Sequence, residues 1–174
     1  LIDNKEKYPN PDNFLNLRFK EYRHFNDLEN LKNIECIFHQ GACSDTMEYD
    51  KNFMMGVNYN YSKTMLSIAK ENNSKFIYAS SASVYGLNKN SEEKKENESP
   101  LNVYAESKLL FDRYIMNQDY PAAGLRYFNV YGRGEENKGK MASMVYKMNK
   151  EYLESKKISL FKGTGGYKDG EQKR

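Results

Sequence analysis

The sequence predicts an α/β fold of βαβ units around a parallel sheet. Three observations predict it. Short apolar runs alternate with segments of helical period. Three of the expected strands lead into small or polar residues, at Gly41–Ser44, Ser80-Ser81 and Asn129-Val130. Beyond the second of these ends, Tyr104 and Lys108 stand four residues apart at the start of a helical pattern, on one face of the helix. Ligands on parallel sheets bind outside the carboxyl ends of the strands, so the three loops are expected to converge on one site.

In chain order, Leu1-Ile2-Asp3 reads as the end of a strand and Asn10-Pro11-Asp12 as part of a polar loop. A short helical stretch is expected around His24–Asn33. A strand follows over Ile34–His39, where Ile34, Cys36, Ile37 and Phe38 form an apolar run. Gly41-Ala42-Cys43-Ser44-Asp45 reads as a turn. Phe53, Val57, Tyr61, Met65 and Ile68 recur at helical spacing and predict a helix over Asn52–Glu71. Phe76–Ala79 is the next strand, inside the run Lys75–Ser81. The helix Leu101–Asn117 offers Leu109, Leu110, Phe111 and Ile115 for packing. Ala122–Asn129 reads as a strand, Ala142–Leu153 as a helix, Ile158–Phe161 as a short strand and Gly163–Gly170 as a loop. The string beginning Gly163-Thr164-Gly165-Gly166 misses the G-x-G-x-x-G pattern because Lys168 stands at the third glycine position.

An ammonium on the same helix face lowers a phenol's pKa and lets it exchange a proton with a sugar hydroxyl near neutral pH. Tyr104 and Lys108 are so placed, and Ser81 at a neighbouring strand end can hydrogen-bond the same hydroxyl. The spacing by itself carries little, because it recurs at Tyr59/Lys63, Tyr85/Lys89, Tyr146/Lys150 and Tyr152/Lys156. Context separates the Tyr104 pair: a strand ending in Ser80-Ser81, then Val84-Tyr85-Gly86, a polar loop, and Pro100-Leu101-Asn102-Val103. The other four tyrosines read as surface or packing residues.

At 174 residues the chain is long enough for one domain with a core. Its charge of +3 comes from interspersed acids and bases, which argues against a nucleic-acid groove or a membrane patch. The mixed-sign run Asn88–Glu98 reads as a solvated loop. No apolar stretch approaches the roughly 20 residues of a membrane helix, and no secretory signal opens the sequence. Cys36 and Cys43 lack Cys-x-x-Cys spacing, so a reduced cytoplasmic setting is expected. Cys36 is expected in the core, and Cys43 either near a ligand or packed. His24 and His39 are too far apart to suggest metal ligands, and no metal is expected; His39 reads as a satisfied, partly buried histidine. The sequence opens at Leu1 without an initiator methionine and stops at Arg174 without a closing element, so a piece of a longer protein is expected.

The strings A-S-S-A-S-V-Y-G (Ala79–Gly86), P-L-N-V-Y-A-E-S-K (Pro100–Lys108) and L-R-Y-F-N-V-Y-G (Leu125–Gly132) resemble the extended short-chain dehydrogenase/reductases that act on nucleotide sugars. Three further segments are similar to the branch of that family that epimerises ADP-heptoses. They are I-F-H-Q-G-A-C-S (Ile37–Ser44), Met54-Met55 before Asn58, and N-K-G-K-M-A-S (Asn137–Ser143). The resemblance covers nearly the whole chain. It implies a Rossmann-like doubly wound parallel sheet, with residues 1–135 a partial dinucleotide-binding domain and 136–174 the start of a smaller substrate-binding region. It also implies that a first strand and its glycine-rich turn precede Leu1, that the rest of the substrate domain follows Arg174, and that the chain alone is inactive.

Position by position, the resemblance implies that Tyr104 is the catalytic proton acceptor and that Ser81 orients the reacting hydroxyl. Lys108 would bind the nicotinamide ribose and lower the tyrosine's pKa. Lys138 matches a second acid/base, and a phosphate contact or a solvated lysine is the alternative there. Asp3 and Asn4 fall where the adenine ribose is met. Asp3 suits the free 2′-hydroxyl of NAD, whereas the family generally uses NADP, and Asn13 stands where a basic residue is expected. NADP is therefore expected, with NAD as the alternative. Gln40, Gly41, Ala42, Cys43, Ser44 and Val130 fall at cofactor-contacting positions, with Lys108 and Lys138. Asn58 resembles an asparagine bracing the cofactor pocket, although a helix-start role would also explain it. Asn129, Lys140, Lys147 and Arg174 fall at positions that contact the nucleotide sugar, as do Ser81 and the loop Phe161-Lys162-Gly163-Thr164. Lys140 and Lys147 depart from the family's usual serine and histidine, and the segment between Thr164 and Arg174 is longer than usual.

The implied activity is epimerisation at the sixth carbon of an ADP-heptose by transient oxidation with bound NADP, in lipopolysaccharide core heptose synthesis, by a cytoplasmic homo-oligomer. A UDP-hexose 4-epimerase shares Ser81, Tyr104 and Lys108 and is the first alternative. A 4,6-dehydratase needs an Asp-Glu pair where Ala82-Ser83 stand. A non-catalytic dinucleotide-binding regulator would be expected to lose Tyr104 or Lys108, and a purely structural domain has no need of polar residues at three strand ends.

Overall fold

The computed structural model describes residues 2–3, 21, 23–88, 90–163 and 168–171. β1 (Ile2–Asp3) pairs in parallel with β2 (Arg23–His24). β3 (Cys36–His39), β4 (Lys75–Ser81) and β5 (Ala122–Tyr127) form a parallel sheet in that order, with Ile37 opposite Phe76 and Phe76 opposite Ala122. A helix lies in each crossover of this sheet, as parallel neighbours require. The α/β fold with a parallel sheet is the predicted one.

The first crossover runs from α1 (Lys51–Met54) through a π-helical segment, Met55–Asn60, into α2 (Tyr61–Glu71). Asp50 starts it by accepting the Phe53 amide at 3.0 Å, a side-chain cap for an otherwise orphaned donor. The second crossover ends in α3 (Val103–Met116), capped by Asn102, which accepts the Ala105 amide at 2.8 Å. α4 (Met144–Ser155) follows β5 and is capped by Ser143. The apolar faces of α2 and α3 close on the sheet through Met65, Leu66, Phe76, Tyr78, Phe111 and Ile115. Tyr78 meets Phe111 edge-on, with centroids 4.9 Å apart.

Several expectations need correction. The stretch around His24–Asn33 is not helical: it holds β2 and then turns, with Asn30 and Asn33 at φ 55° and 59°. Leu28, Leu31 and Ile34 imitate a helical period because all three pack on the core from an irregular segment. Asn72 anchors that segment by donating to the Leu31 carbonyl at 2.9 Å. On β3 the side chains alternate, so Ile37 and His39 are buried while Cys36 is only half-buried and Phe38 is exposed; Cys36 is therefore not a core residue. Residues 158–161 form no strand. Their chain follows the left-handed Lys156, is tied to Glu151 through the Ser159 amide and hydroxyl, and leaves Ile158, Leu160 and Phe161 exposed. The run Asn88–Glu98 is solvated only in part, because Asn97 is buried and Glu98 pairs with Arg126 at 2.5 Å.

Candidate active site

β4 delivers Ser81 to the carboxyl edge of the sheet. There Ser81 caps the 3-10 turn Ala82–Tyr85, its Oγ accepting from the Ser83 amide at 3.2 Å and bonding the Ser83 hydroxyl at 2.8 Å. Asn102 starts α3 so that Tyr104 falls in the first turn and Lys108 in the second. Burial is the larger influence on the Tyr104 phenol and holds its pKa above the ordinary value, while the nearby Ser81 hydroxyl acts to lower it. Lys108 is 6% exposed and donates to the Ala79 carbonyl at 3.0 Å. Burial pulls its pKa down to about 8, against the opposing charge of Asp112.

The expected lowering of the phenol by Lys108 is thus not what the geometry yields. The ammonium stands over the Tyr104 ring, 5.9 Å from its centroid, and is directed to β4. Distance to the ring does not distinguish the pair, since Lys63 lies 5.1 Å from the Tyr59 ring and Lys156 5.3 Å from Tyr152. Burial and the adjacent Ser81 do.

Asn58 sits in the π-helical segment, fully buried, and Asp50 is the residue that starts the helix. Its side-chain oxygen accepts the Cys43 amide at 2.8 Å and its nitrogen donates to the Cys43 carbonyl at 3.0 Å. The same nitrogen reaches Ser107 Oγ at 3.0 Å, one residue before Lys108. The loop after β3 and the reactive face of α3 are therefore held by one amide. His39 is satisfied as expected, bonded to Ser62 Oγ at 2.8 Å, and burial with the nearby Lys108 charge keeps it neutral with a pKa of about 4.

The loop 40–44, Ser81, Tyr104 and Lys108 line one cavity with residues 129–130 and Lys138, of about 2850 Å³. Its lining also takes in Leu31, Ile34, Ile37 and Met65, which belong to or pack against the core, so the volume is not that of a single ligand site. Lys108 has three donors and spends one on Ala79, and a Cβ at Gly41 would meet nothing within 4 Å. Such a wall offers donors and open backbone to the hydroxyls of a ligand. The Lys147 ammonium instead donates to the Lys140 carbonyl at 2.7 Å, and Lys147 lines a separate cleft of about 330 Å³. Phe161 and Gly163 are tied into their own loop, through Gly170 and Asp169, and neither they nor Lys162 and Lys140 line the large cavity. Asp3 is described by its backbone, paired with His24. Asn4, Asn13, Thr164 and Arg174 lie outside the described residues. Among the described residues no group of three His, Cys, Asp or Glu side chains gathers as metal ligands, and no helix is long and apolar enough to cross a membrane.

Two carboxylates were missed by the sequence reading. Asp112 accepts from the Tyr78 hydroxyl at 3.0 Å, Ser80 Oγ at 2.8 Å and Arg126 Nε at 3.1 Å, which ties α3 to β4 and β5 behind the site. Its spacing four residues after Lys108 was the available signal. Glu135, 2% exposed, accepts from Gly132 and Ser143, and nothing in its mixed-charge surroundings marked it.

The chain is similar to several known proteins. An ADP-L-glycero-D-manno-heptose-6-epimerase of Thiobacillus denitrificans is 47% identical over 145 residues, covering 81% of this chain and 44% of that protein. One of the same name from Alkalilimnicola ehrlichii is 47% identical over 150 residues, covering 84% and 47%. The crystal structure of the Helicobacter pylori ADP-L-glycero-D-manno-heptose-6-epimerase superposes with a TM-score of 0.73 at 38% identity, covering 80% of this chain and 48% of that one. The chain thus spans less than half the length of these relatives. Residues 2–174 match the model of one family throughout, and the chain belongs to that family, the NAD dependent epimerase/dehydratases.

Proposed function

We propose that the protein epimerises an ADP-heptose at its sixth carbon, converting the D-glycero to the L-glycero form by transient oxidation, with NADP as cofactor and NAD as the alternative. The observation that carries this reading is the meeting of Ser81, Tyr104, Lys108 and Lys138 on one cavity. The names of relatives 47% identical support the choice of sugar. Residues 1–135 then supply the dinucleotide half and 136–174 the start of the substrate half of a cytoplasmic homo-oligomer in lipopolysaccharide core heptose synthesis.

A bound nicotinamide dinucleotide supplies the one chemistry side chains lack, a reversible acceptor for the hydride of the sugar's sixth carbon. The rest falls to this chain. Ser81 and Tyr104, near enough for the serine to lower the phenol's pKa, receive the reacting hydroxyl, and Tyr104 takes its proton. Burial opposes the phenolate, and Ser81 is the neighbour that favours it. Lys108 would hold ribose hydroxyls with its remaining donors, while Asn58 fixes the loop at Cys43 and Val130 lines the same cavity. Asn129 faces the sugar. After the carbonyl turns, its oxygen points to another wall, and Lys138 there returns the proton. Asp3 and Asn4 would serve the adenine ribose, and Lys140, Lys147, the loop 161–164 and Arg174 the nucleotide of the sugar.

The test is incubation of the full-length protein with ADP-D-glycero-D-manno-heptose, followed by NMR at the sixth carbon. Formation of the L-glycero epimer without net cofactor reduction is expected. Turnover of a UDP-hexose in its place would assign the protein to the 4-epimerases and retain Ser81, Tyr104 and Lys108 in their roles.

A further inference from the structure

The segment that carries Lys138 has little to hold it. It is a 3-10 stretch, Glu135–Met141, entered through Gly134 at φ 85° and broken at Gly139 with φ 54° and ψ −122°. Glycine at both places leaves the backbone free to sample many conformations, and Glu136, Lys138 and Lys140 are exposed. Glu135 is the exception, at 2% exposure. One carboxylate oxygen accepts the Gly132 amide at 2.8 Å and the Ser143 hydroxyl at 3.0 Å, and the other accepts the Ser143 amide at 2.5 Å. These bonds hold the carboxylate below its usual range, led by the Ser143 amide and aided by the Lys138 charge. The loop is closed at its two ends, with Lys138 near its middle.

We infer that Glu135 is the positioning residue of Lys138, a clasp that fixes the loop 132–143 so that the lysine is presented to the cavity of Tyr104. Lys138 and Ser143 line that cavity and Glu135 does not, so the carboxylate acts from behind the wall. Ser143 Oγ also accepts the Tyr146 amide at 3.1 Å, which fastens the clasp to the start of α4. Charge-assisted bonds of this kind are the strong ones, and here three of them converge on one buried group. The inference rests on the reading of Lys138 as an acid/base.

The experiment is a double-mutant cycle in the full-length protein, with epimerisation of ADP-D-glycero-D-manno-heptose as the readout. Glu135→Ala is expected to lower kcat by about 10- to 100-fold, a range typical of a misplaced proton carrier, with the KM for the ADP-heptose unchanged. In a Lys138→Met background the same substitution should change kcat by less than about twofold, because its effect passes through the lysine. Glu135→Gln keeps the side-chain volume and one acceptor, and should give an intermediate loss at an unchanged melting temperature; it carries the test if Glu135→Ala does not fold. Wild-type kcat in both Glu135 variants overturns the inference, as does the same loss with and without Lys138. Full activity of Lys138→Met overturns the acid/base reading itself, and the clasp's catalytic role with it.

Discussion

Lys108 directs its ammonium to the Ala79 carbonyl, 3.0 Å away, and so fastens α3 to the strand that presents Ser81. It does this while 6% exposed and with its pKa drawn down to about 8. Between pH 8 and the unfolded value of 10.5 the unfolded chain binds more protons, so the buried charge costs stability below pH 8 and the cost disappears as pH rises through this window.

Lys108→Met should therefore separate activity from stability. Epimerase activity is expected to fall by about 10²- to 10⁴-fold. Urea melts at pH 7 should show a gain in stability, bounded by about 3 kcal/mol from the shift and smaller in practice because Ala79 loses a donor. Loss of stability would mean that the Ala79 bond outweighs the desolvation.

His39 acts in the same sense at lower pH. Burial holds it neutral with a pKa of about 4, below the unfolded 6.5, so stability is full above pH 6.5 and falls as the pH drops toward 4. A loss of up to about 3 kcal/mol is expected over that interval. Urea melts at a series of pH values should show the slope reduced in His39→Gln, whose side chain does not titrate.

Two glycines are predicted to resist substitution for different reasons. At Gly86, φ is 55° and ψ −124°, and a Cβ would overlap the Ser99 carbonyl oxygen, a backbone atom that cannot move aside. Gly86→Ala is expected to cost about 3 kcal/mol or more, from strain and overpacking together. At Gly124 the obstacle is the ring of Tyr78, its neighbour across β4 and β5. Gly124→Ala should cost about 1–3 kcal/mol and break the Tyr78–Asp112 bond, which ultraviolet spectra of the tyrosines would register.

Asn58→Ala should release the loop at Cys43 and the bond to Ser107 on α3. We expect dinucleotide affinity, measured by fluorescence titration, to fall about tenfold or more, consistent with two lost bonds that preorganise the loop. Unchanged affinity would remove Asn58 from the cofactor wall.

What the sequence disclosed follows from periodicity. The core of α2 and α3 was legible because Met65, Ile68, Phe111 and Ile115 recur at helical spacing against the short apolar strand β4. The stretch from Leu28 to Ile34 has the same spacing but no helix, because tertiary anchoring by Asn72 satisfies its backbone and the two left-handed asparagines break any ladder. Ser81, Tyr104 and Lys108 were readable from their strings, whereas the direction of Lys108 depends on a carbonyl that no string encodes. Asp112 and Glu135 stayed hidden because their partners, Tyr78 and Ser80 for one and Ser143 for the other, become neighbours only through the fold.

The most direct test of the transient oxidation is made with ADP-D-glycero-D-manno-heptose deuterated at the sixth carbon, in protonated water. The mechanism predicts that the L-glycero product retains its deuterium, and that Tyr104→Phe loses at least about 10² of the rate. Deuterium washed out to solvent during epimerisation would contradict it, since the hydrogen would then leave as a proton.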